Sequence, residues 1–270
     1  MNRNLKFFFS FFLLLCSIGI AQAARIDSVK VFSNKSAKYI KVLIFVPDTQ
    51  TPVPTWYLLH GYSGDERDWY NHRKDLPKLA DQYQMLIVCP DAQNSWYWDS
   101  PLQKDSQYET FLSKELVRYI DKHYSTISDN KHRAISGLSM GGHGAMYLAF
   151  RHTDIYGCAT SMSGGLDIIP FPKSWEMQKQ LGSLELNRNR WNAHSAICNM
   201  NKIKDDDLAL MIDCGDKDFF FEVNRAFHDK LTARGIKHDY IIRPGKHNWQ
   251  YWCNALDFHI VFINHFFDNL

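Results

Sequence analysis

The sequence has no C-x-x-C and no H-E-x-x-H, and its 12 histidines are scattered without ligand spacing. Nothing in it indicates a metal site. No Gly-X-Y repeat, heptad run or internal repeat is present, which excludes collagen, coiled-coil and solenoid architectures. Net charge is also scarce: 31 basic residues face 29 acidic ones. A chain so balanced offers no electrostatic case for binding nucleic acid or anionic lipid. Charged residues make up only 22% of the chain and apolar ones 45%, so disorder is excluded and a large buried core is available. A length of 270 residues suits one large domain or two small ones.

Long apolar runs are missing except at the N-terminus. There, Asn2 to Lys6 carries Arg3 and Lys6 and no acid, Phe7 to Ile20 is apolar, and Ala21-Gln22-Ala23 supplies small residues. This is the pattern of a secretory signal peptide, and its apolar run is too short for a comfortable membrane span. Cleavage after Ala23 is expected, leaving a secreted or periplasmic domain of residues 24–270 with no membrane span. A lipoprotein anchor at Cys16 is disfavoured, because Leu13-Leu14-Leu15 lacks the small residues such a site prefers. Export permits disulfides. Cys89, Cys158 and Cys214 sit in apolar runs and read as buried thiols, whereas Cys198 and Cys253 lie in less regular segments and are available to pair.

Two alternating segments, Ile26 to Phe32 and Tyr39 to Val46, read as edge or outer strands. Short unbroken apolar runs follow at Trp56–Leu59, Met85–Cys89, around Ala134-Ile135, at Tyr156–Met162 and at Leu208–Ile212, with a last strand at Lys237–Arg243. Unbroken runs are the mark of strands buried on both faces of a parallel sheet. Helical patterns fall between them, at about 105–124, 140–152, 221–234 and 249–267. The alternation predicts a doubly wound α/β domain with a mostly parallel sheet and helices on both faces. The segment 164–201 breaks the rhythm with Pro170, Pro172, Gly182 and several asparagines, and reads as a lid or pocket wall.

Gly137-Leu138-Ser139-Met140-Gly141 is a G-x-S-x-G, preceded by a short strand and followed by a helix, which is the setting of a nucleophile elbow. A serine hydroxyl needs a histidine base, and the base needs an orienting carboxylate. In this architecture the order is serine, acid, histidine. His247 follows the last strand and is the candidate base; His259 and His265 fall inside the last helix, and His238 starts the strand. Three aspartates follow Leu208–Ile212. Asp213 is still within the strand and reads as structural, while Asp216 and Asp218 both lie in the loop beyond, and local reasoning does not separate them. The oxyanion requires two backbone N–H donors. Met140, after the nucleophile, supplies one at a helix start; the other falls to Tyr62, beside Gly61 in Leu58-Leu59-His60-Gly61-Tyr62.

The ordered strings LLHGYSGDERDW, SWYWDS, YETFLSKELVRYID, GLSMGGHGA, DCGDKDF and PGKHNW together resemble the esterase D-like α/β-hydrolases. That group includes tributyrin-type esterases, S-formylglutathione hydrolases and the feruloyl and acetylxylan esterases of carbohydrate esterase family 1, with mycolyltransferases as more distant relatives. The resemblance spans about residues 26–267. It implies that the acid stands at the last position of the Gly215-Asp216-Lys217-Asp218 turn, at Asp218, and that the Tyr62 N–H is an oxyanion donor. It also places Ser95, Trp96 and Tyr97 near the site mouth, where Trp249 is expected to join them as a substrate-binding residue.

The expected activity is that of a cofactor-independent serine carboxylesterase acting on short-acyl esters, including acyl groups carried by a small molecule or a carbohydrate. Acyl transfer of the mycolyltransferase type and S-formylglutathione hydrolase-like thioester cleavage are the alternatives. Export argues against a glutathione substrate. A non-catalytic carbohydrate-binding relative would lack a member of the serine–acid–histidine set, and none is missing here.

Overall fold

The computed structural model describes residues 24–269. The leader peptide, its cleavage position at Ala23 and Cys16 lie outside the described residues. Eight strands are seen among the described residues: β1 (Arg25–Ser33), β2 (Lys38–Val46), β3 (Thr55–Leu59), β4 (Leu86–Pro90), β5 (Arg133–Leu138), β6 (Cys158–Met162), β7 (Ala209–Gly215) and β8 (Asp239–Arg243). They form one sheet in the order β1-β2-β4-β3-β5-β6-β7-β8. The two pairings of β2 are antiparallel and all others are parallel.

Burial explains the sequence pattern strand by strand. β3, β4, β5 and β6 are buried at every position, whereas β1 alternates between exposed and covered positions because it lies at an edge. Within the sheet, alternate residues feed two cores. Tyr57, Leu59, Val88, Ile135 and Ile212 face one side; Trp56, Leu58, Ile87, Ala134 and Met162 face the other. The first core is covered by α3 (Tyr108–Thr110), a π turn (Phe111–Glu115) and α4 (Leu116–His123), which run on without a break, and by α5 (Met140–Arg151) and α9 (Phe221–Ala233). The second is covered by α1 (Asp68–His72), α2 (Leu76–Gln82) and α10 (Trp249–Asp268). The fold is therefore the expected α/β-hydrolase arrangement.

Several features depart from the sequence reading. Helices α1 and α2 were not foreseen; they have 5 and 7 residues, too few turns to show a period. The segment 164–201 holds three helices, α6 (Met177–Leu181), α7 (Leu184–His194) and α8 (Ala196–Asn199). Gly182, at φ +78°, separates the first two, and Asn187 interrupts α7 with non-helical dihedrals. Its buried Leu166, Ile168, Met177, Leu181 and Trp191 join the core under α5. Cys89, Cys158 and Cys214 are buried in strands, as expected, and Cys198 and Cys253 are free, so the pairing left open by the sequence does not form.

The chain order around β3 decides where a site can form. β3 is followed in the chain by β4 on one side of it and then by β5 on the other. This is a topological switch point, and loops leaving the carboxyl ends of the two adjacent strands diverge there to leave a crevice. Leu59 and Gly137 are paired at those ends, so the loop after β3 and the turn after β5 begin side by side.

Candidate active site

Ser139 stands between β5 and α5 with φ 53° and ψ −115°. A serine in this region is strained by about 1–3 kcal/mol, and surrounding structure must hold it there. It does so at close quarters. A Cβ on Gly137 would lie 2.4 Å from the Gly141 carbonyl carbon, and one on Gly141 would lie 2.6 Å from the His60 oxygen. Only glycine lets the turn close and the helix approach β3. The Ser139 N–H donates to the Met162 carbonyl at 2.9 Å, and its own carbonyl accepts from the His143 N–H at 3.0 Å.

The structure brings the three predicted side chains together. His247 Nε2 lies 2.9 Å from Ser139 Oγ, and His247 Nδ1 lies 2.9 and 3.0 Å from the two Asp218 oxygens. An ionised carboxylate only accepts, so Nδ1 carries the proton and Nε2 presents its lone pair to the serine hydroxyl. Asp218 Oδ1 also accepts the Phe220 N–H at 2.8 Å, which fixes the carboxylate plane. The Asp218 side chain is fully buried and that of His247 is 13% exposed, so the set is shielded on its acid side and open on its serine side. A hydroxyl bonded to an imidazole held this way is an activated nucleophile.

Backbone bonds lock the acid and histidine loops to each other. The Asp216 N–H donates to the Arg243 carbonyl at 3.0 Å and the Lys217 N–H to the Gly245 carbonyl at 2.9 Å. Asp216 Oδ1 accepts the Gly245 N–H at 3.0 Å. Asp216 thus holds the histidine loop and does not touch His247, while Asp218 does.

The loop after β3 carries the second candidate donor. The Gly64 N–H closes a turn onto the Gly61 carbonyl at 3.1 Å. His60 Nδ1 bonds the Gly61 carbonyl at 2.7 Å, and its Nε2 accepts the Ala92 N–H at 2.8 Å. Burial holds the His60 imidazole below its ordinary pKa, which keeps Nε2 an acceptor. Among the described residues, neither the Tyr62 N–H nor the Met140 N–H donates to a protein acceptor. Met140 opens α5, where the first N–H groups have no partner within the helix.

The three aromatic residues expected at the mouth are held by packing. Tyr97 is fully buried; its hydroxyl donates to the His60 carbonyl at 2.9 Å and its ring fills the space a side chain on Gly144 would take. Trp96 is 1% exposed and stacks on Trp98. Both residues have positive φ, 56° and 65°, and this turn directs the rings inward. Trp249 stacks on His72 at 3.8 Å and packs edge-on against Trp69 and Trp252, joining α1 to α10. The residues that flank the histidine were missed. Phe219, 54% exposed, has its ring centroid 4.1 Å from that of His247, and Phe220 lies at 5.4 Å. Trp175 of the 164–201 segment stacks against Phe219 and packs on Phe220 and Phe171. The run Phe219-Phe220-Phe221 directly after Asp218 carried that signal in the sequence.

Among the described residues no group of three or more His, Cys, Asp or Glu side chains is arranged to hold a metal. No helix among them is long and apolar enough to cross a membrane.

The Esterase family model ("Putative esterase") matches residues 33–261. The chain is 25% identical over 210 residues to an acetyl esterase of Caldicellulosiruptor saccharolyticus, covering 73% of this chain and 78% of that one. Among solved structures, a ferulic acid esterase is 27% identical with a TM-score of 0.75, covering 91% of this chain and 99% of its own. A substrate-bound, fluorophosphonate-binding serine hydrolase of Staphylococcus aureus shares the fold with a TM-score of 0.81 at 21% identity, over 90% of this chain and 99% of that one. With the family model covering most of its length, the chain belongs to the Esterase family and is a carboxylic ester hydrolase of the α/β-hydrolase fold.

Proposed function

We propose that the protein is an exported serine carboxylesterase for short-acyl esters. The observation that carries this reading is the unbroken hydrogen-bond chain from Ser139 through His247 to Asp218. Ser139 Oγ attacks the ester carbonyl while His247 Nε2 takes its proton. Asp218 holds the imidazole and stabilises the imidazolium. The Tyr62 and Met140 N–H groups receive the oxyanion, aided by the dipole at the start of α5. His247 then protonates the departing alcohol. A water activated by the same histidine releases the acid, and no cofactor takes part in these steps.

Two features support a short acyl group. The aromatic wall of Phe219, Phe220 and Trp175 crowds the histidine side of the site. The 164–201 segment, which we assign as a pocket wall, carries Lys173, Glu176, Lys179, Glu185, Arg188 and Arg190 and has no continuous apolar lining for a long chain. Each methylene left without a pocket forgoes about 0.8 kcal/mol of burial. Catalytic efficiency on p-nitrophenyl esters should therefore peak between two and four carbons; a maximum at eight or more would refute the short-acyl reading. A fluorophosphonate probe should label Ser139 alone, and Ser139→Ala should abolish both labelling and turnover. Labelling that persists in the variant would refute the nucleophile. The charged, apolar and small-residue regions of the leader support export, and the N-terminus of the protein recovered from culture medium or periplasm should begin at Ala24.

A further inference from the structure

The backbone N–H of Ala24 donates to a carboxylate rather than to the sheet. It bonds Asp81 Oδ2 at 2.8 Å, and the other oxygen, Oδ1, accepts the Asp48 N–H at 2.8 Å. β1 and β2 stop pairing at Arg25 and Val46, so Asp81 staples the open end of that hairpin to α2. Ala24 is partly buried against the second core, which holds its nitrogen in place.

A carboxylate fits this position poorly while its donors are neutral. Asp81 lies in the last turn of α2, where the helix dipole disfavours negative charge, and that turn holds no basic residue. Among the described residues no Lys, Arg or His comes within ion-pair distance of Asp81. Arg25, next to Ala24, is engaged by Asp27. Asp81 therefore has two backbone donors and no counter-charge.

Processing would supply that charge. Ala24 is the residue that follows the expected cleavage position. Hydrolysis of the Ala23–Ala24 peptide bond by a leader peptidase consumes one water, leaves a carboxylate on Ala23 and frees a primary amine on Ala24. That amine takes up a proton below its ordinary pKa of about 8. The donor to Asp81 then changes from a neutral amide to an ammonium at the same place. A charge-assisted hydrogen bond of this kind is about twice as strong as a neutral one.

We infer that Asp81 is the docking site for the α-ammonium of the mature chain, so that removal of the leader closes an ion pair between β1 and α2 that the precursor lacks. The edge strand is held more weakly until the leader is gone. The inference rests on the reading of the leader as cleaved after Ala23, and it uses none of the reactive residues.

The test compares three chains: one beginning at Ala24 with a free amine, the same chain acetylated at that amine, and the same chain behind a short Gly-Ser extension, each with and without Asp81→Asn. The free amine should raise Tm by about 2–4 °C over both blocked forms, and Asp81→Asn should abolish that difference. At neutral pH the Ala24 amine should react with a succinimidyl ester about tenfold more slowly than the amine of the extended chain, because an adjacent carboxylate favours the charged, unreactive form. A purely structural Asp81 would lower Tm equally in all three chains. That result, or an Ala24 amine as reactive as the extended one, would overturn the inference. The amine comparison needs no substitution, so it decides the matter should Asp81→Asn fail to fold. An exported protein that begins elsewhere than at Ala24 would overturn the cleavage position and the ion pair together, whereas an Ala24 start with an unprotected amine would overturn the ion pair alone.

Discussion

Two buried carboxylates, Asp213 and Asp218, stand five positions apart in the chain, and both side chains are fully buried. Asp213 sits inside β7. It accepts from Arg243 Nη2 at 2.6 Å and from the Tyr251 hydroxyl, with His259 Nε2 3.8 Å away. Burial works to raise its pKa, but His259, Tyr251 and Arg243 outweigh that and hold it below the ordinary range. Asp218 sits in the loop beyond and has one ionisable partner, His247, whose second nitrogen faces Ser139. Burial and charge pairing are alike in the two, so they do not mark a reactive centre. What differs is where the network ends. Two partners of Asp213, Tyr251 and His259, lead back into the core, and the partner of Asp218 leads to a partly buried serine on a strained turn.

The largest expected effect tests the outward-leading network. Asp218→Asn keeps the shape but supplies an amide that holds His247 in the wrong tautomer. kcat on p-nitrophenyl acetate should fall about 10⁴-fold, with a small change in the urea midpoint. A loss under tenfold would remove Asp218 from the mechanism.

The inward-leading network should respond the other way. Asp213→Ala strands the Arg243 guanidinium and the Tyr251 hydroxyl, and should lower unfolding free energy by about 3–5 kcal/mol. Because the Tyr251 ring packs against Gly245, two residues before His247, some activity should be lost as well, though far less than in Asp218→Asn. A variant with native stability and no activity would show that Asp213 belongs to the reactive set.

The pH dependence of stability sharpens the same contrast at a third polar cluster. Burial opposes ionisation of Glu109, yet hydrogen bonds from His152, Arg151 and Tyr147 outweigh it and bring its pKa down to about 2, from an ordinary 4.5. Its folded pKa is depressed, so its contribution is present above pH 4.5 and is lost as pH falls toward 2. His143, fully buried, is held by desolvation at about 3, below its ordinary 6.5, so acid charges the unfolded chain first and stability starts to fall below pH 6.5. Calorimetry should show a declining Tm below that pH and a steeper decline below 4.5, where both groups contribute. Glu109→Gln should flatten the lower limb. An unchanged slope in that variant would refute the assignment.

The sequence made these networks legible to different degrees. Strand order in the chain and the G-x-S-x-G setting led to Ser139 and His247, because both depend on where a strand ends. The choice between Asp216 and Asp218 did not follow from spacing, since both lie in one loop; the resemblance to known esterases separated them. The contact between Trp175 and Phe219 joins segments far apart in the chain, and no local pattern announces it. The burial of Trp96 and Tyr97 was not legible because their direction depends on two consecutive positive φ angles, at residues that rarely adopt them. The direction of these two rings is set by the backbone there, not by the side chains.

The smallest expected effect concerns Asp216. Its carboxylate is exposed, and one oxygen accepts the Gly245 N–H at 3.0 Å. Asn offers an oxygen at the same place, and the two backbone bonds from residues 216 and 217 to the histidine loop do not involve the side chain. Asp216→Asn should therefore change stability by less than about 0.5 kcal/mol and leave kcat within about twofold of wild type. Asp216→Ala removes the acceptor and should cost about 1 kcal/mol, with a modest fall in kcat as the Gly245 loop loosens beneath His247. Measuring both variants beside Asp218→Asn separates holding a loop from holding a proton. If Asp216→Asn were the more damaging of the two asparagine substitutions, the acid would be Asp216, and the bonds between His247 and Asp218 would be a resting arrangement of the site.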